Sequence, residues 1–320
     1  FRVGGRVDSP PTFHRGTVLF GCRDGYVYCL TADEGRLVWR FQAAPSDMRI
    51  MAHGRLESAW PVHGSVLIDG EKAIVTAGRS SHLNGGLYLY SLDPRTGTPL
   101  VERKFTPNAQ SAGELEGGLL SDILVGDGRS IWMRGSELDL RGSDTPVHRK
   151  KARSDTAHVI ASGGFLDGSW FNRYFWSYGG TKAQYLVHDD RAVYGISAFK
   201  VRNHRVMRDA FAPARQGYEL SASSKAKKGW RLNVPLRGRA MIVTAEYLFV
   251  AGEPDVVDAA DPWAAFEGRK GGRLEVRTKE TGEKVADFNL PAAPLYDGMA
   301  AAGTRLYIAL RDGKVACFSR

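Results

Sequence analysis

The chain has 320 residues, 43% of them apolar, which is enough for a full core, and no apolar run approaches the ~18 residues of a membrane span. Lys and Arg number 44 against 35 Asp and Glu, a net charge of +9. The 58 residues from 182 to 239 hold 13 of those cations and only four acids, which excludes a uniformly basic coat and places the excess in one sector.

The first residue is Phe1, so the sequence reads as a mature product or a fragment, with blades expected before it as one alternative. Next, "SPPTFHRG" supplies a short strand with proline at its start, where no ladder bond is lost. "VLFGC" and "YVYCL" flank Asp24-Gly25, a hairpin signal, and "TADEGR" joins "YVYCL" to "LVWRF" through a longer loop with glycine near its end. Pairing across Asp24-Gly25 sets Cys22 near Val27 and Cys29 near Phe20, neither of them bridge geometry. Cys22, Cys29 and Cys317 therefore read as free thiols or packed small side chains.

The four-strand pattern recurs from Trp60 to Phe105 and from Arg239 to Leu290. "YDGMAAAGTRLYIALRDGKVACFSR" gives three strands at the end of the chain. Degenerate copies read as "LLSDILVGDGRSIWMRGSELDL" and "QYLVHDDRAVYGIS…YELSAS…GWRLNVP". A recurring four-stranded unit of roughly 40 to 60 residues predicts a β-propeller. The expected fold is all-β: one domain over 1–320, with six or seven blades of four antiparallel strands. The N-terminal "FRVGG" is expected to pair beside "KVACF" and close the ring, leaving no exposed edge.

Four strand ends align as "FGCRDG", "TAGRSS", "WMRGS" and "ALRDG", which puts Arg23, Arg79, Arg134 and Arg311 at one position of the repeat. The approaches to the innermost strands carry Asp8, Glu57 and Asp297, with Asp8 expected opposite Arg23. Two readings stand: ion pairs built into the repeat, or guanidinium groups that address an anionic ligand. "ESAWPVHGS" places Trp60 and His63 on the inner strand of the second blade, with Arg79, Ser80 and His82 nearby. A His, an Arg and a hydroxyl together suit general-base or oxyanion chemistry. His63, Arg79 and Tyr174 are accordingly the catalytic candidates.

"DGSWFNRYFW" offers Trp170 and Arg173, with Asp167, Phe171, Asn172, Tyr174, Phe175 and Trp176, either as a buried strand or as a sugar-stacking platform. "EPDVVDAADPWAAFEGRKGG" is a long insertion. Its Glu267, Arg269 and Lys270 are candidate ligand contacts, while Glu253, Asp255, Asp258 and Asp261 lack the alternation of a calcium loop. "KVRNHRVMRDAFAPARQG" is a basic insertion suited to a partner protein or an anionic surface. His63 and His82 lack an obvious third ligand, so no metal site is expected. Base-reading motifs are absent, so no sequence-specific nucleic-acid binding is expected either.

"VYCLTADEGRLVWRF" resembles the quinoprotein-type (PQQ-like) propeller repeat, with Trp39 at that family's tryptophan position. Glu102 and Asp287 stand at the matching positions of the other clear repeats, so the tryptophan is read as kept once. The resemblance covers residues 6–105 and 239–320. It implies a periplasmic or secreted location, and a closer likeness to the family's non-enzymatic scaffolds than to its dehydrogenases. The dehydrogenases' vicinal cysteine pair is missing, and no residue answers to their calcium ligands or catalytic Asp, so neither PQQ nor calcium nor any other cofactor is expected. The leading reading is a non-catalytic platform for a protein partner or an anionic polymer such as an acidic polysaccharide. Beside it stand a lyase-like enzyme acting on acidic polysaccharide and, third, a PQQ-dependent oxidoreductase.

Overall fold

The computed structural model describes residues 1–52, 54–106, 118–126, 128, 130–138, 140, 158–166, 175–198, 214, 217–224 and 229–319. It divides into two compact units, Phe1–Asp167 and Gly168–Arg320. Among the described residues there is no α-helix, and no helix is long and apolar enough to cross a membrane.

The first unit opens with a four-stranded antiparallel sheet in sequential order: β1 (Thr12–His14), β2 (Thr17–Gly21), β3 (Tyr26–Thr31) and β4 (Leu37–Gln42). A hairpin follows, β5 (Arg49–Ala52) and β6 (Arg55–Ser58). A second four-stranded sheet contains β7 (Leu67–Asp69), β8 (Lys72–Ala77), β9 (Leu87–Leu92) and β10 (Pro99–Phe105). A three-stranded sheet has β11 (Leu124–Gly126), β12 (Ile131–Met133) and β13 (Ser136–Leu138), and the unit ends with β14 (Ile160–Ala161).

The second unit begins with the paired strands β15 (Trp176–Tyr178) and β16 (Thr181–Ala183). Two four-stranded sheets follow. One has β17 (Tyr185–His188), β18 (Val193–Ala198), β19 (Tyr218–Ser223) and β20 (Trp230–Val234). The other has β21 (Leu236–Val243), β22 (Tyr247–Pro254), β23 (Gly272–Thr278) and β24 (Lys284–Leu290). The last sheet has three strands: β25 (Pro294–Ala302), β26 (Arg305–Leu310) and β27 (Val315–Ser319).

Burial explains why each sheet uses these residues. In β8 every residue after Lys72 is buried, because neighbouring sheets cover both its faces. Fourth strands lie outermost and alternate instead, with β10 and β24 mostly exposed. The cores sit between successive sheets. Leu19, Val27 and Trp39 meet Val75, Tyr90 and Leu92; Ile74, Leu87 and Leu89 meet Leu124, Ile131 and Met133; Ala251 and Leu274 meet Leu306 and Ile308.

One turn recurs between third and fourth strands. Gly35 donates its N–H to Thr31, Gly97 to Asp93 and Gly282 to Thr278. Each of these glycines has φ between 65° and 74°, a region in which a side chain is strained. The turn also receives the tryptophan of the preceding sheet. The Trp39 indole N–H donates to the Pro94 carbonyl at 3.0 Å, and its ring lies where a Cβ on Gly97 would sit. Trp230 repeats this, donating to the Lys279 carbonyl at 2.9 Å over Gly282. The expectation that the tryptophan is kept once is thus corrected: among the described residues Trp39 and Trp230 both dock in this way.

Three further expectations change. The β2–β3 connection has four residues, Cys22 to Gly25, closed by Cys22 N–H to the Tyr26 carbonyl. Cys29 therefore faces Leu19, and Val27 faces Gly21; all three cysteines are free. Phe1–Gly5 forms no strand: Gly4 N–H donates to Asp24 at 3.0 Å, and Phe1 lies against Tyr28. Trp60 and His63 precede β7 and lie outside any strand.

Candidate functional site

The β2–β3 loop is held from several sides. Arg23 N–H donates to the Arg6 carbonyl, Ser58 N–H to the Arg23 carbonyl, and Val62 N–H to the Cys22 carbonyl. Gly21 allows this approach, since a Cβ there would lie 2.3 Å from the Val62 side chain and 2.8 Å from its carbonyl. Three distant segments thereby place Asp8, Glu57 and His63 around Arg23.

The side chains form one connected chain of charge. Arg6 Nε lies 2.5 Å from Asp8, and Arg23 Nε lies 2.5 Å from the other Asp8 oxygen. Arg23 continues to Glu57 at 2.6 Å, and Arg79 reaches the second Glu57 oxygen at 2.6 Å. His63 Nδ1 branches off at 2.9 Å from Asp8. The Asp8 and Glu57 side chains are only 8% and 5% exposed. Burial alone would raise the Asp8 carboxyl, but hydrogen bonds from His63, Arg23 and Arg6 outweigh it and hold it well below the usual carboxylate range. Glu57 is lowered in the same way, its burial outweighed by Arg79 and Arg23. Two carboxylates thus face three guanidinium groups, and Arg6 remains 54% exposed.

The other candidates are distributed around this network. Trp60 is buried, with its backbone N–H donating to Ser58 Oγ. Ser80 is buried and accepts the His82 N–H. Arg134, at φ 56° between β12 and β13, lies 3.4 Å from Asp122. Asp122 also accepts the backbone N–H groups of Ile123, Phe165 and Leu166, while its burial pushes the carboxyl up. Trp170, Arg173 and Tyr174, with Asp167, Phe171 and Asn172, lie outside the described residues, as does nearly all of the basic insertion over 200–217. Phe175 falls just before β15, and Trp176 is buried within it.

In the second unit Asp297 and Arg311 take different partners. Asp297 accepts from the Tyr185 hydroxyl at 2.5 Å, because Asp297 takes φ 54° within a register shift of β25. Arg311 instead donates to the Glu267 carbonyl at 3.0 Å and lies 4.0 Å from Glu253. Glu253 is met by Arg239, which the sequence reading missed. In the insertion, Arg269 pairs with Asp261 and Glu267, and Lys270 with Asp258. Among the described residues, no group of three or more His, Cys, Asp or Glu side chains could hold a metal ion.

Comparison with known proteins gives a family and a fold. The family model described as outer membrane protein assembly factor BamB matches residues 1–166. No curated protein matches the chain significantly. The crystal structure of BamB from Moraxella catarrhalis superimposes with a TM-score of 0.50 at 17% identity, covering 100% of this chain and 85% of that one. A quinohemoprotein alcohol dehydrogenase from Pseudomonas putida gives a TM-score of 0.41 at 10% identity, over 93% of this chain and 61% of that one. The computationally designed Ika8 protein gives 0.38 at 13% identity, over 99% and 98%. The first likeness is one of fold, and the two lower scores carry no argument. The repeated four-stranded sheets are the blades of a PQQ-like β-propeller fold.

Proposed function

The chain belongs to the outer membrane protein assembly factor BamB family, and from that membership we propose that it is a non-catalytic propeller scaffold that acts by binding a protein partner outside the cytoplasm. The observation that carries this reading is the commitment of the polar groups in the first unit. Arg23 and Arg79, the guanidinium groups that would neutralise a substrate carboxylate, are engaged by Asp8 and Glu57. A network of this kind fixes the relative positions of three chain segments more than it adds stability. It gives a partner a preset surface, with the partly exposed Arg6 and Arg79 as its cations.

The lyase-like alternative draws on one contact, His63 to Asp8 at 2.9 Å, since an aspartate on one ring nitrogen orients a histidine for proton transfer at the other. One experiment addresses both. The parent, His63→Gln and the double variant Arg6→Ala/Arg79→Ala are titrated against immobilised polygalacturonate, and the soluble phase is followed for ultraviolet absorbance of unsaturated product. A scaffold forms no product. Any polymer binding should weaken in the double variant, and also as salt shortens the screening length from ~10 Å at 0.1 M. Product made by the parent and lost in His63→Gln would replace the scaffold reading with the enzymatic one.

A further inference from the structure

The second unit gathers three guanidinium groups around one buried carboxylate. Glu253, on β22, is 1% exposed. Arg237 stands directly opposite it on β21, and the register then shifts between Gly238 and Ala240, which makes Arg239 the extra residue of a β-bulge. Bulges of this kind re-aim a side chain. Here the result is that Arg239 Nε lies 3.0 and 2.9 Å from the two Glu253 oxygens. Gly252 is required opposite the bulge, since a Cβ there would come within 1.7 Å of the Arg237 carbonyl oxygen.

Arg311 follows β26 and closes the group from the solvent side. It lies 4.0 Å from Glu253, with its side chain 49% exposed. Arg237 is the inner member: it is buried, sits 4.2 Å over the Phe266 ring, and reaches the Phe266 carbonyl. Exposure therefore grades outward from Arg237 through Arg239, whose side chain is 20% exposed, to Arg311. Asp255 is an acid near Arg237, and the Glu267 carboxylate is taken up by Arg269. Asp255 accepts the Ala214 N–H at 3.1 Å, and burial pushes its carboxyl up, toward the neutral form. The Arg237 guanidinium is pushed down, first by burial and then by Arg239. Three guanidinium groups thus converge on one buried carboxylate in a partly dehydrated place, where an added anion gains most.

We propose that Arg237, Arg239 and Arg311 form a binding site for a small oxyanion group (carboxylate, sulfate or phosphate), with Glu253 aligning Arg239 and residues 266–268 forming one wall. Both contacts from Arg239 to Glu253 run through Nε, and a guanidinium has five N–H donors in a planar fork suited to oxyanions. Gly268, at φ 81°, leaves room for the Arg311 guanidinium, which would lie 3.0 Å from a Cβ at that position. The site is confined to the second unit, so it stands or falls separately from the polymer titration aimed at Arg6 and Arg79.

The test is calorimetric titration of the whole chain with sodium sulfate, sodium phosphate and sodium acetate, against sodium chloride at equal ionic strength. The parent should bind at least one of the three oxyanions saturably at one site. Preference for sulfate or phosphate points to a tetrahedral ligand, and preference for acetate to a carboxylate on a partner. Arg311→Gln should weaken binding by roughly tenfold, the effect of losing one charge-assisted contact. Arg311→Lys, which keeps the charge and loses the fork, should fall between. Lys284→Gln, on β24 and paired with Asp287, should match the parent. Urea midpoints show which variants are folded, and Arg311→Lys carries the test if Arg311→Gln is not. Absence of saturable binding above chloride overturns the site. So does unchanged affinity in a folded Arg311 variant; the arginines would then serve only to pin the insertion through its Phe266 and Glu267 carbonyls.

Discussion

Trp39 on β4 and Pro94 in the β9–β10 turn are joined by a 3.0 Å hydrogen bond from indole N–H to carbonyl, so a side chain of one sheet completes the turn of the next. Replacing Trp39 with Ala removes that bond and opens a cavity over Gly97. The expected loss is about 3–5 kcal/mol, typical for a buried tryptophan. Trp39→Phe keeps the ring contact and should cost about 1–2 kcal/mol, near the value of one hydrogen bond with a buried acceptor left unpaired. Urea unfolding curves measure both, and equal midpoints for Trp39→Ala and the parent would show that the turn does not depend on the indole.

Glu57 holds Arg23 and Arg79 together, one oxygen to each. Glu57→Gln leaves Arg79 without its carboxylate and the almost fully buried Arg23 with Asp8 alone, and should destabilise the first unit by about 3 kcal/mol. The double variant Glu57→Gln/Arg79→Gln should recover part of that loss. If the two variants unfold at the same urea concentration, Arg79 is not coupled to Glu57.

The pH dependence has a definite sign. Asp8 and Glu57 titrate below their ordinary values of 3.8 and 4.5 when folded. Their contribution is therefore fully present above pH ~5 and is lost as pH falls toward the folded values. The melting temperature of the parent should drop steeply below pH 5. Asp8→Asn should lower the melting temperature at pH 7 and drop less steeply in acid. A parallel pair of curves would remove Asp8 from the network.

Burial pushes the Cys22 thiol up to about 12, and the Cys29 thiol rises for the same reason. Cys317 is exposed. Since the thiolate is the reactive form, a maleimide should label one thiol per folded chain quickly, and three only after denaturation. Mass spectrometry locates the label, and rapid native labelling at Cys22 would show that the β2–β3 loop opens.

We expect no quinone to stay with the protein. After incubation with PQQ and calcium followed by gel filtration, the protein fraction should carry no quinone absorbance and support no dye-linked oxidation of alcohols or sugars. Stoichiometric retention would revive the oxidoreductase reading.

The recurring turn was legible because it depends on composition: "TADEG", "DPRTG" and "TKETG" each end on the glycine that the backbone requires. The pairing of Asp8 with Arg23 was legible because both flank short strands of one sheet. Trp230 was not, since the stretch before it, "SSKAKKG", lengthens the hairpin and hides the spacing. The β5–β6 hairpin was missed because Met51 and Leu56, paired across it, are exposed and give no amphipathic signal. Arg239 and Asp297 were misjudged for one shared reason: both sit at register shifts, where counting by twos along a strand assigns a side chain to the wrong face.

In the second unit, the turn that receives Trp230 joins β23 to β24, whereas the long insertion joins β22 to β23. In an antiparallel sheet these connections lie at opposite ends of the strands. Conserving the assembly of this sheet and varying its contacts are therefore separate tasks for the chain. Segment 256–265 could be exchanged for a foreign loop without touching the tryptophan joint, which makes this sheet a natural place to graft a new recognition sequence.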